Sequence, residues 1–199
     1  MRPERVDGLS VEQPETGPRP SPGWSLVPRF DLVAHPDHPT RAVTAVRATA
    51  ERSIDWLHLH FEVDAGPGAI RWPAPVTPAF RDGLWQHTCF EAFCSIEGKQ
   101  GYREVNLSPS GEWAVYDFSA YRKSMSRAAR TPVRYFRAKE RSVSAVVDIG
   151  RGDWNVGLAV IIEEEAGGRS YWALSHGPKK PDFHNPACFT AALPSPRPA

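Results

Sequence analysis

The chain has no excess charge of either sign: among 199 residues, 24 Lys and Arg balance 23 Asp and Glu, leaving a formal net charge of +1. No global field exists to gather nucleic acid or anionic lipid, so neither is expected as a partner. Long apolar runs are missing too, and none nears the roughly 18 residues that a bilayer-spanning helix needs. Residues 1–23 are charged and proline-rich and lack the apolar stretch of a secretory signal, so cytoplasmic residence is expected. Cysteine is scarce and odd in number, at 3, which speaks against a disulfide framework and for reduced thiols. No Gly-x-Ser-x-Gly elbow, phosphate-binding loop or dinucleotide fingerprint occurs. Helical periodicity is almost absent as well; only Ala120–Arg130 reads as a short helix.

What the chain does have is punctuation, with 20 Pro and 15 Gly, and short alternating apolar runs between them. In Trp56–Val63, Leu57, Leu59, Phe61 and Val63 fall on one face, against Trp56, His58, His60 and Glu62 on the other. Further strands are expected at Val43–Ala48, His87–Ile96, Gly101–Leu107, Trp113–Phe118, Val143–Ile149, Val156–Glu163, Ser170–Ser175 and Cys188–Leu193. Strands this frequent, without alternating long helices, predict an all-β antiparallel β-sandwich: jelly-roll-like, with immunoglobulin-like two-sheet packing and one short helical segment. Residues 1–23 read as a flexible tail, 24–193 as one domain, and 194–199 as a frayed end.

Alternation also sorts the polar groups. His87, Cys89, Glu91 and Phe93 share one face of their strand; Tyr102, Glu104, Asn106 and Ser108 share one face of the next, against Val105 and Leu107. Paired as a hairpin, these strands present two carboxylates, an amide, a hydroxyl and an imidazole on one side. Aromatic planes against apolar ring faces, with polar groups for hydroxyls, are what a sugar site requires. A buried polar network with core tryptophans is the alternative reading of the same residues.

Two long segments carry a resemblance. Leu84-Trp85-Gln86-His87-Thr88-Cys89-Phe90-Glu91-Ala92-Phe93 is followed by Tyr102-Arg103-Glu104-Val105-Asn106-Leu107-Ser108-Pro109-Ser110-Gly111-Glu112-Trp113, a Tyr-x-Glu-x-Asn-x-Ser-Pro-x-Gly strand and turn leading into a Trp-bearing strand. The later Ser170–His184 stretch, with Gly177-Pro178-Lys179-Lys180-Pro181-Asp182-Phe183-His184, resembles the closing motif of the same group. The chain thus resembles the DOMON-like domains related to family nine carbohydrate-binding modules, from about Phe30 to Leu193. The resemblance implies a non-catalytic module for a carbohydrate or sugar derivative. Its expected contact residues are Trp85, Glu91, Glu104, Asn106, Trp113, Trp172, His176, Lys180, Asp182 and His184. The family binds sugars in some branches and haem in others, so fold alone does not fix the ligand.

The same residues bear on other chemistries. Glu91 and Glu104 are an acid/base pair for a sugar-acting enzyme, if their strands set them opposite one another. A protein-interaction domain is a further alternative. His58 and His60 share a strand face, but Glu62 follows too soon for a cupin-like metal set. Calcium is left open, with Asp82, Asp117, Asp148 and Asp153 as candidates. A Met/His haem site is disfavoured, since the methionines are Met1 and Met125 alone. Cys89 and Cys94 are an odd number of positions apart and point to opposite faces. The expected partner is therefore a small molecule, with no metal or cofactor assigned and the oligomeric state open.

Overall fold

Alternating side chains on short strands need a second apolar surface to cover them, and this chain supplies it by bending one sheet over on itself. The structure, a computed structural model, describes residues 28–129 and 133–195. The tail expected at residues 1–23, and residues 196–199, lie outside these. The strands are β1 (Arg29–Ala34), β2 (Val43–Arg52), β3 (Trp56–Ala65), β4 (Cys89–Ile96), β5 (Tyr102–Leu107), β6 (Trp113–Phe118), β7 (Ser126–Arg127), β8 (Val133–Lys139), β9 (Ser142–Asp148), β10 (Trp154–Glu163), β11 (Arg169–Ala173) and β12 (Ala191–Leu193).

They form one antiparallel sheet in the order β7-β6-β5-β4-β10-β11-β1-β2-β3-β9-β8, with β12 added on β10. The seam is β1: Arg29 to Leu32 pair with β2, then Val33 and Ala34 pair with β11. The architecture is thus all-β and antiparallel, as the alternation predicts, but built as a single curled sheet.

One core lies between its two halves. Leu57, Leu59, Phe61 and Val63 of β3 are buried, as their spacing requires, with Val143, Ala145 and Val147 of β9. From the other half come Phe90, Ala92 and Cys94 of β4, Val105 and Leu107 of β5, and Val156, Leu158, Val160 and Ile162 of β10. The Phe61 and Phe90 rings meet across the layer with centroids 5.4 Å apart. Each such large apolar side chain contributes about 1.5–3 kcal/mol on burial.

The turn from β5 to β6 explains the Ser-Pro-x-Gly signature. The Ser108 amide donates to Glu112 and the Gly111 amide to Ser108, and Gly111 takes φ +97. A side chain is strained at that φ, and a Cβ there would also press on the Val76 carbonyl at 3.3 Å. This turn sets the register that pairs Leu107 with Trp113 and Glu104 with Tyr116.

The helix expected over Ala120–Arg130 is not found over its described residues, 120–129. Arg122 and Ser124 take φ of 52 and 50, which no α-helix accommodates. The Lys123 amide closes a turn on Ala120, and Ser126–Arg127 pairs with β6. Tyr121 and Arg122 both bond Asp182, and these contacts win over helix propensity. Among the described residues, helical structure is limited to 3-10 turns at Leu84–Gln86 and Pro186–Cys188.

The outer face of the half containing β4 and β5 carries a second apolar layer, including Cys89, Phe93, Tyr102, Tyr116, Phe118, Ile161 and Ala173. Residues 174–190 cross this face as a strap and contribute Phe183, Cys188 and Phe189 to the layer. Both ends of the strap sit on one edge of β10, where Ala173 pairs with Ala159 and Ala191 with Val156. At Gly157, between those points, an added Cβ would come within 2.7 Å of the Phe189 ring.

Candidate functional site

A cleft of about 470 Å3 opens on this outer face between strap and sheet, within the range of small-molecule sites. Strand parity builds its floor. Glu91 of β4 opposes Asn106 of β5, and Phe93 opposes Glu104, so the two glutamates are diagonal neighbours. All of these groups point to the face that carries Tyr116 and Phe118 of β6, because Glu104 pairs with Tyr116 and Tyr102 with Phe118. Trp85, Phe93, Phe118, Tyr171 and Phe183 form apolar walls, with His184, Arg122, Arg169 and Met125 around the opening.

The floor is polar and buried. Glu91 is 2% exposed and Glu104 5%. Asn106 is fully buried; its Nδ2 donates to Glu104 Oε1 at 2.7 Å, and its Oδ1 accepts from the Cys89 thiol at 3.6 Å. Among the described residues, Glu91 Oε1 has no hydrogen-bond partner. Burial, then the neighbouring Glu104 charge, pushes the Glu91 carboxyl well above the carboxylate range. Burial also raises Glu104, to about 6, against the opposing pull of the Asn106 bond and the Arg122 charge.

The strap positions the remaining groups. Tyr102 OH accepts from the Arg122 amide at 3.2 Å and is hydrogen-bonded to His184 Nδ1 at 2.7 Å. His184 Nε2 then faces Glu104 Oε2 at 3.7 Å. Burial and the Arg122 charge push His184 down to about 4, so it is a neutral imidazole at pH 7. Asp182 receives Tyr121 OH at 2.6 Å and Arg122 Nη2 at 2.8 Å. These bonds hold its carboxyl below the ordinary value despite partial burial.

Of the residues expected to contact a ligand, Trp85, Glu91, Glu104 and His184 line the cleft. Asn106 lies beneath them, and Asp182 acts by holding Arg122. The others lie elsewhere. Trp113 opposes Leu107 and packs against the inner core; Trp172 opposes Val160 and is buried in that core, its Nε1 bonded to Ser170. His176 donates Nε2 to the Val33 carbonyl at 2.7 Å and stacks edge-on against His35, fastening the strap to β1. Lys180 is exposed on the strap and is not among the cleft-lining residues.

Phe118, Tyr171, Arg122 and Arg169 were missed. The first two carried a signal: hairpin register places Phe118 with Tyr102, and strand parity separates Tyr171 from Trp172. Arg122 sits in the segment read as a helix, and its place depends on Asp182, 60 residues away.

Among the described residues, no group of three or more His, Cys, Asp or Glu converges to hold a metal ion. The four aspartates considered for calcium are engaged internally: Asp82 with Tyr116, Asp117 with Arg103, Asp148 with Gly150, and Asp153 with Ser195. His60 bonds Ser144 at 2.8 Å on the opposite half of the sheet. Met125 is on a loop at the mouth of the cleft rather than in a helix. Cys89, Cys94 and Cys188 are free and buried.

No family model matches the chain, and comparison with curated proteins gives no match either. The fold is shared with a solved structure, that of a "putative carbohydrate-binding protein" from Bacteroides uniformis. The TM-score is 0.60 at 18% identity, over 84% of this chain and 86% of that one. At that identity the likeness concerns the fold.

Proposed function

We propose that this chain is a non-catalytic binding module of the DOMON type, its curled sheet working as a jelly-roll-like sandwich, and that its ligand is a carbohydrate or sugar derivative. One observation carries the proposal: two buried carboxyls face an open cleft whose walls are aromatic. Buried polar groups without full partners are costly unless a ligand completes them. Aromatic walls suit the apolar faces of a sugar ring. The shared fold with a "putative carbohydrate-binding protein" supports the same reading. The three buried free thiols support a reducing, cytoplasmic setting.

The test is isothermal titration and thermal shift of the purified protein against neutral sugars, sugar acids, sugar phosphates and amino sugars. Binding stabilises by mass action, so modest binders register at about a hundredfold excess over Kd. A shift that disappears in Glu104→Gln and Trp85→Ala, both still folded, supports the cleft. No shift with any sugar removes the reading.

Catalysis on a sugar is the second reading, favoured by the paired carboxyls: Glu91 is pushed up further than Glu104, which lies at about 6, and an acid/base pair requires two carboxyls driven apart in this way. Turnover of any glycoside, abolished by Glu91→Gln, would establish it. Binding without turnover across a glycoside panel would remove it.

A further inference from the structure

The cleft floor holds a polar demand that the protein itself leaves unmet. Glu91 lines the cleft, yet its Oε1 is buried without a hydrogen-bond partner among the described residues. Glu104, its diagonal neighbour, is engaged through Oε1 by Asn106, while Oε2 sees only His184 Nε2 at 3.7 Å, beyond hydrogen-bond length.

Charge around the pair follows from the groups facing it. From β4 there is the Cys89 thiol, raised by burial and so uncharged. From β5 come Asn106 and Tyr102, from β6 Tyr116, and from the strap His184 and Asp182. From the 121–125 loop comes Arg122, already paired with Asp182 at 2.8 Å. Arg169, the other arginine of the cleft, is paired with Glu163 at 3.0 Å. Each of these two guanidiniums is thus paired with a carboxylate, and among the described residues neither floor carboxyl has an ion pair with Arg or Lys, although the Arg122 charge reaches both.

An anionic ligand would meet two carboxyls on this floor. A primary ammonium instead brings three donors and one compact positive charge. The aromatic walls add a further attraction for a cation lying against them.

We propose that the floor of the cleft is an ammonium subsite received by Glu91 and Glu104, and that the ligand class is an amino sugar with a free amine. The sugar portion rests on the function proposed above, whereas the ammonium subsite stands on the floor itself. Burial and the Glu104 charge favour the protonated form of Glu91 in the free protein, so seating is expected to draw a proton from that carboxyl: its O–H bond breaks, the proton goes to solvent, and the ligand arrives as an ammonium and keeps its three protons.

The experiment is isothermal titration of the wild-type protein near neutral pH with glucosamine, galactosamine and mannosamine. Each is run beside its neutral parent sugar and its N-acetyl form, with cyclohexylamine as a ring amine that is not a sugar. At least one amine is expected to bind tenfold or more tightly than its neutral parent and its N-acetyl form. Titrations in buffers of different ionisation enthalpy are expected to show net proton release on binding at a pH low enough to keep the amine protonated. Glu91→Gln, close in shape to the protonated side chain, is expected to keep its Tm and lose both the preference and the proton release.

Neutral parents binding as tightly as the amines would overturn the ammonium subsite while leaving the sugar reading intact. Cyclohexylamine binding with proton release, when no sugar binds, would support the subsite and remove the sugar reading. Failure of every amine to bind would overturn the subsite, as would a folded Glu91→Gln protein that keeps the preference. If that variant does not fold, wild-type proton release decides: amine binding without it overturns the role given to Glu91.

Discussion

Glu91 and Glu104 sit diagonally on one buried floor, yet an amide holds only Glu104, through the 2.7 Å bond from Asn106. A donor to the charged form lowers a carboxyl's pKa, and loss of that donor raises it. Asn106→Leu keeps the size of the side chain and removes the bond. The Glu104 carboxyl is expected to titrate above its wild-type value of about 6, followed by NMR of the side-chain carboxyl carbon. An unchanged titration would show that burial alone sets this group.

Glu104 and His184 oppose one another in acid. Glu104 is raised in the folded state, so its contribution to stability is full below the unfolded value of about 4.3 and is lost as pH rises through about 6. His184 is lowered, so its contribution is full above the unfolded value of about 6.5 and is lost as pH falls through about 4. The stability advantage of wild type over Glu104→Gln should therefore shrink as pH rises across that window. The advantage over His184→Gln should shrink as pH falls. Urea unfolding of the three proteins at several pH values reads both slopes, and parallel curves would contradict both.

Tryptophans divide by face. Trp172 belongs to the inner core, so Trp172→Ala should cost about 3–5 kcal/mol in urea unfolding. Trp85 is half-buried on the cleft wall, so Trp85→Ala should weaken ligand binding while changing unfolding far less. Equal losses of stability in the two variants would make Trp85 a structural residue.

At Gly157 the sheet leaves no room for a side chain beneath the strap. Gly157→Ala must displace the Phe189 ring, which stacks on Phe93 in the outer layer at 5.9 Å. The expected cost is about 1–3 kcal/mol, typical of overpacking, together with weaker binding in the cleft. Trimming the ring in Gly157→Ala/Phe189→Leu should recover part of that stability, and no recovery would place the strain elsewhere.

Strand parity made much of this molecule legible. It predicted the buried face of β3 residue by residue and brought Glu91, Glu104 and Asn106 together, because period two is a local property of extended chain. The misplacement of Trp113 was avoidable: once Leu107 is assigned inward, the Ser108–Glu112 turn pairs it with Trp113 and sends that ring inward too. Arg122 and His176 were beyond such reasoning. One is fixed by Asp182 and the other by the Val33 carbonyl, and contacts at that sequence separation leave no periodic trace. The strand β1 was missed as well: Arg29–Ala34 is short and weakly alternating, and it pairs at its two ends with strands far apart in sequence.

The strap over the cleft is anchored at both ends to neighbouring positions on β10, which makes it an Ω-loop rather than a hinged flap. A flap opens by rotating about one attachment; a loop pinned at both feet, and riveted to β1 through His176, opens only by shifting its own packed side chains. A ligand entering the open cleft therefore meets a wall already set in place, so little ordering of the protein opposes its seating. Preorganisation, rather than closure, is what this arrangement favours.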